Sequence, residues 1–324
     1  MKKLLAGMLV IILTVMILPI TGTKSARADD QSSDKLKIVT TIFPEYDWMR
    51  NIIGEDNDNV ELIMLLDNGT DMHSFQPTVK DIMNVASCDL LVYVGGESDA
   101  WIEDALESAQ NKNMKTINLM EVLSDFIKEE ETVEGMQGSE KESDEKEYDE
   151  HVWTSLRNAI KSCDAIASAL GEMDPDNADK YQQNAESYEN ELQKLDEEYQ
   201  SVIDQASEKT LVFADRFPFR YLVDDYGLSY YAAFSGCSSE SDASFKTVTF
   251  LASKLDDLGI KTVLTIEKSD DRIAQTVIDN TKYKDQKILE LNSMQSVTSD
   301  EISEGATYLS IMEDNLNVLK EALQ

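Results

Sequence analysis

Histidine is nearly absent from this chain, with His73 and His151 the only two in 324 residues. The two lie far apart in sequence, so no His-Glu-x-x-His helix exists, and no Gly-x-Ser-x-Gly elbow occurs either. Cysteine is limited to Cys88, Cys163 and Cys237; no two share a zinc-type spacing, and the odd count forbids complete internal pairing. Cys88 and Cys163 sit among apolar residues and read as buried small hydrophobes, whereas Cys237, between Gly236 and Ser238, reads as loop-placed. Basic residues are short as well: 29 against 63 acids, for a formal charge of −34. Such a chain repels nucleic acid and anionic membrane surfaces, and attracts cations.

The apolar run Leu4 to Ile20 is short of the ~20 residues that a spanning helix needs. Preceded by Lys2 and Lys3 and followed by Ala26-Arg-Ala28, it reads as an export signal over residues 1–28, cleaved after Ala28. The first cysteine is Cys88, so no lipid anchor on a new N-terminal cysteine is expected. Cleavage takes away Lys2, Lys3, Lys24 and Arg27 and no acid, moving the formal charge to −38. The expected location is outside the cytoplasmic membrane, secreted or periplasmic.

Beyond the signal, apolar runs alternate with amphipathic stretches. Strands are expected at Lys35–Phe43, Val60–Leu66, Leu90–Val94 and Thr116–Leu119, with helices between them, including one capped by Thr78 whose apolar face is Val79, Ile82, Met83 and Ala86. The rhythm returns after residue 208, with strands at Thr210–Ala214, Leu228–Phe234, Lys261–Ile266 and Lys287–Leu291 and a loop at Asp215–Pro218. Between the halves, Asp174-Pro175 opens a helix whose Ala178, Tyr181, Ala185, Tyr188, Leu192, Leu195, Tyr199 and Val202 are spaced by three and four, giving one apolar stripe. The expected architecture is α/β: a lobe at 29–172, a connecting helix at 173–207 and a second lobe at 208–324, each lobe with a mainly parallel sheet. In such sheets ligands sit beyond the carboxyl ends of the strands.

Both histidines follow carboxylates, His73 in Asn68-Gly-Thr-Asp-Met-His-Ser-Phe-Gln-Pro-Thr78 and His151 in Tyr148-Asp-Glu-His-Val-Trp153. Imidazole is the commonest metal ligand, and a neighbouring carboxylate commonly fixes its orientation. Phe75 and Trp153 are expected to be packing that shields such a site. Residues 128–150 break the pattern, with eleven acids in 23 positions; they read as a solvated, disordered insert, the alternative being a weak cation collector beside His151.

Gly-x-Asp-x-His-Ser-Phe-Gln-Pro-Thr, then Asp-Glu-His-Val-Trp, then Tyr221 to Leu228, in this order, closely resemble the substrate-binding proteins of bacterial zinc and manganese ABC importers. The resemblance runs from about Lys35 to the C-terminus. It implies two α/β lobes joined by one rigid helix, with His73 and His151 as ligands from the first lobe. It also implies a charged insert before the second histidine, histidine-rich in several members and acidic here. Where many members carry a third histidine or a glutamate, this chain has Arg216, which cannot ligate, and the family's last carboxylate falls on Asn292. Asp215, next to Arg216, and Glu267, at the end of its strand, are the expected replacements. Two imidazoles and two carboxylates suit four-coordinate Zn²⁺, with Mn²⁺ as the alternative cargo.

The resemblance therefore implies a monomeric zinc carrier, not an enzyme, whose partner is an ABC importer permease. Two other classes stay open at this point. Arg216 in place of a ligand leaves room for water in a zinc-dependent hydrolase, with Glu267 as base. The acidic, exported surface also suits an adhesin.

Overall fold

The structure is a computed structural model describing residues 35–54, 58–137, 147–238 and 242–324. The expected signal peptide and residues 138–146 of the acidic insert lie outside the described residues. The first half runs β1 (Leu36–Thr40), α1 (Phe43–Ile53), β2 (Val60–Met64), α2 (Val79–Ser87), β3 (Leu90–Tyr93), α3 (Trp101–Glu107), β4 (Lys115–Asn118) and α4 (Leu119–Val122). Two long helices follow, α5 (Leu156–Met173) and α6 (Ala178–Gln205). The second half runs β5 (Thr210–Phe217), α7 (Arg220–Tyr226), β6 (Ser229–Ser235), α8 (Phe245–Leu258), β7 (Thr262–Ile266), α9 (Arg272–Asp279), β8 (Lys287–Leu291), α10 (Ser299–Ser303) and α11 (Tyr308–Ala322).

Each half builds a four-stranded sheet of parallel pairs with the same winding, β2-β1-β3-β4 in one and β6-β5-β7-β8 in the other. The central strands are apolar on both faces because helices cover both, as parallel sheets require; Ile38, Val39, Leu90, Leu91 and Val92 are all fully buried. In such a winding the chain runs from β1 to β2 on one side and then crosses back to β3 on the other, opening a crevice at the carboxyl ends of β1 and β3. The His73 loop follows β2 there.

The expected stripe on α6 is the buried one: Tyr181, Ala185, Tyr188, Leu192, Leu195 and Tyr199 all face inward, with Ile203 rather than Val202 closing it. It packs against α5 and α1 on one side and α7 and α11 on the other. Polar ties cross between the halves as well. Trp153 Nε1–H donates to Ser293 O (2.8 Å), Tyr308 OH to Trp153 O (2.7 Å) and Tyr199 OH to Met312 O (2.6 Å). One apolar cluster runs from Ile38 through α5 and α6 to Leu323, so the halves share a core.

Three expectations are corrected. The presumed apolar face of α2 points outward, with Val79 76% and Met83 66% exposed, while Val85 and Ala86 are buried. Thr78 does cap the helix, in a reciprocal box with Asp81, but α2 meets β1 and α3 through its C-terminal end, and local periodicity cannot say which end docks. Asp215 and Arg216 are not in a loop: β5 continues to Phe217, with an irregularity between Phe213 and Arg216 where the pairing to β6 shifts register. Finally, the described flanks of the acidic insert make ordered contacts with the second half, although Glu129, Glu131 and Glu134 are exposed. Gln137 N–H donates to Ala233 O (2.9 Å), Ser244 N–H to Gln137 Oε1 (2.7 Å), and Arg220 lies 3.4 Å from Glu131. Glu131 and Glu134 find cationic partners in the second half, Arg220 and Lys254, which composition alone does not reveal.

Candidate metal centre

His73 is delivered by a single 3-10 turn, Met72–Ser74, whose first free N–H is capped by Asp71: its Oδ1 accepts from His73 N at 3.0 Å. His151 sits just before a second such turn, Val152–Thr154, in a fully buried stretch. Asp149 Oδ1 accepts from both His151 N (2.8 Å) and His151 Nδ1 (2.9 Å). With Nδ1 carrying the proton towards that carboxylate, the lone pair of His151 Nε2 points outward. It points at His73, whose Nε2 lies 3.0 Å away. His73 Nδ1 in turn lies 2.8 Å from Ser98 Oγ and 3.8 Å from Glu150 Oε2. Each imidazole is thus held at Nδ1, and both Nε2 atoms converge on one point.

The two rings are shifted in opposite directions. Burial, and then the neighbouring His151, push the His73 imidazolium down to about 3, so the ring is neutral and free to donate its lone pair. Burial opposes protonation of His151 as well, but the Asp149 carboxylate outweighs it and raises the ring's proton affinity, which favours positive charge there. Glu150 Oε1 accepts from Ser98 N (3.0 Å), while its Oε2 is buried and has no hydrogen-bond partner. Gly96, at φ +82°, permits this approach, since a Cβ there would stand 2.4 Å from Glu150 Oε1. Trp153, wholly buried, packs its ring 5.2 Å from His151, and Phe75 packs on Trp101.

The four expected ligands do not gather in one place. His73 and Cys237 line a cavity of about 540 Å³ with Ser98, Glu147 and Glu150. Asp215, Arg216 and Glu267 line a different cavity, of about 320 Å³, together with Asp71 and Lys268. Asp215 Oδ2 accepts from Ser269 Oγ (2.7 Å), and its Oδ1 from the N–H of Arg216 (2.8 Å). Glu267 is spent on the loop after β8: Oε2 accepts from Ser293 N (2.7 Å) and Oε1 from Ser293 Oγ (2.7 Å) and Gln295 N (3.2 Å). Burial raises Glu267 despite these bonds. Arg216 reaches across to the other half, Nη2 to Asp71 Oδ2 at 2.6 Å. Burial works against ionisation of Asp71, but this guanidinium holds it below the usual carboxylate range. Asn292 Oδ1 accepts from Met294 N (2.8 Å), a turn contact only.

Among the described residues, the group that could hold a metal is His73, His151 and Cys237, with their ligand atoms all within 4.8 Å of one another. Cys88 and Cys163 are buried thiols, as expected. Sequence reasoning missed Cys237; its signal was a loop-placed cysteine after a glycine. Gly236 lies so close to His151 that a Cβ would stand 2.7 Å from Cε1 and 2.9 Å from Phe217 O. That close approach brings β6's end, and Cys237 with it, onto the histidine pair.

Two α/β halves sharing one long helix, with an imidazole pair at the carboxyl ends of the strands, define a two-lobe protein with a candidate metal centre between distant loops. The chain belongs to the family described as zinc-uptake complex component A, periplasmic, which it matches over residues 38–322. It is 31% identical to the zinc-binding lipoprotein AdcA of Streptococcus pneumoniae over 291 residues, 90% of this chain and 56% of that one. The chain thus spans little more than half the length of that relative. Against the high-affinity zinc uptake system protein ZnuA of Bacillus subtilis it is 27% identical over 333 residues, covering 100% of this chain and 99% of the other. The crystal structure of the Zn(II)-bound ZnuA-like domain of Streptococcus pneumoniae AdcA matches it with a TM-score of 0.71 at 28% identity, over 89% of this chain and 99% of that one. Membership in an uptake family leaves the hydrolase alternative without support. Among the described residues no helix is long and apolar enough to cross a membrane.

Proposed function

We propose that this protein captures Zn²⁺ outside the cytoplasmic membrane, as a monomer exported by residues 1–28, and hands it to the permease of an ABC importer. The observation that carries this reading is the convergence of His73 Nε2 and His151 Nε2 at 3.0 Å, each ring held at its far nitrogen. Two nitrogens bound to one tetrahedral zinc at ~2.0 Å stand ~3.3 Å apart, so the pair is set almost at ligand spacing. Imidazole donors also favour zinc over manganese, magnesium or calcium. Asp215 and Glu267 have the weaker claim as ligands, because their oxygens already hold the β7 and β8 loops. The shared core along α6 supports a small tilt between the halves rather than wide closure.

The test is competitive titration of the metal-free protein with Zn²⁺ and Mn²⁺, beside His73→Ala and His151→Ala. One-to-one zinc binding lost in both variants is expected. Weak binding at many sites, indifferent to both substitutions, would leave only the acidic surface as a cation collector and refute the proposal.

A further inference from the structure

We infer that Cys237 is the third protein ligand of this centre, so that the cargo is held by a two-nitrogen, one-sulfur donor set selecting Zn²⁺ against Mn²⁺. This rests on reading the histidine pair as the zinc site. Three observations place the sulfur there. Its Sγ lies within 4.8 Å of ligand atoms of both histidines. In a tetrahedral site with Zn–N of ~2.0 Å and Zn–S of ~2.3 Å, nitrogen and sulfur stand ~3.6 Å apart, so a rotamer change or a shift of about 1 Å completes the geometry. Gly236 lies directly against the His151 ring, so the loop bearing the thiol is fixed to the site and is not a passing strand end. Glu150, whose buried Oε2 has no hydrogen-bond partner and lies 3.8 Å from His73 Nδ1, calls independently for positive charge at this spot.

Two of the positions expected to ligate from the second half are otherwise engaged. Arg216, at the position where the resembling proteins carry a ligand, is engaged with Asp71, and both oxygens of Glu267 accept hydrogen bonds from the loop after β8. As the metal–sulfur bond forms, the thiol proton passes to solvent, and no electron changes hands. Thiolate is a soft donor that suits zinc, whereas manganese prefers carboxylate, carbonyl and water.

Loading the protein with Co²⁺ in place of zinc tests this without any variant. Thiolate ligation gives a sulfur-to-cobalt charge-transfer absorption in the near ultraviolet, and the one-to-one cobalt complex is expected to show it. Cys237→Ser should abolish the band and weaken zinc by at least about tenfold, as loss of an outer contact alone can do. Its effect on Mn²⁺ should be much smaller, so the zinc-to-manganese ratio falls. A one-to-one cobalt complex without the band, still dependent on His73, would overturn the role of Cys237 and leave the histidine site standing. Absence of any one-to-one binding would overturn both readings.

Discussion

Replacing Asp149 by asparagine separates orientation of a ligand from ligation itself. One carboxylate oxygen of Asp149 accepts from both the backbone N–H and Nδ1 of His151, at 2.8 and 2.9 Å, and the side chain is almost fully buried. In the Asp149→Asn variant the amide oxygen would still accept both bonds, so the loop and the tautomer survive. What is lost is the negative charge that makes the imidazole a stronger donor. Loss of such an outer partner costs 10–100-fold in metal affinity, about 1.4–2.8 kcal/mol. The Tyr221 OH bond to the Asp149 carbonyl (2.7 Å) is backbone-directed and remains, so the melting temperature should change little. The assay is competition for Zn²⁺ with a chromogenic chelator near neutral pH, together with thermal unfolding of the metal-free protein. Zinc affinity unchanged in a folded Asp149→Asn variant would refute the claim that this carboxylate tunes a ligand.

Three further outcomes are expected. Trp153→Phe removes the indole N–H that bonds Ser293 O across the two halves, leaving a buried carbonyl unpaired, and should cost about 1–3 kcal/mol in denaturant unfolding. Leu192→Ala, in the middle of the buried stripe of α6, should cost about 2–5 kcal/mol by the same measurement; a smaller loss would mean that α6 is not the shared spine. Asp99 is pushed up to about 7, first by burial and then by Glu150, although Gly95 N–H donates to it. An unfolded aspartate ionises near ~3.9, so stability falls as pH rises from there through about 7 and the buried charge is created. Asp99→Asn keeps an acceptor for Gly95 and removes that slope. Its melting temperature relative to the parent should therefore be higher at pH 8 than at pH 4.5, and an equal difference at both values would disprove the shift.

The sequence by itself determined the repeating strands and helices, the long central helix and the two histidine loops, because each rests on short-range signals. A three-four spacing places Tyr181, Leu192 and Tyr199 on one face whatever lies opposite, and a carboxylate two residues before an imidazole can brace it within its own loop. Local pattern failed where partners come from afar. It could not tell that α2 docks by its end rather than by Val79 and Met83, or that β5 runs on through Asp215. Nor could it tell that Lys128–Gln137 lies against the second half. The tertiary structure alone decided which side chains meet: it set the two Nε2 atoms 3.0 Å apart and brought Cys237 beside them. It sent Asp215 and Glu267 to another cavity, where loop hydrogen bonds consume them. Ligand type is written residue by residue, but a coordination sphere is a convergence of loops distant in the chain, fixed only when the sheets and the shared core place their ends together.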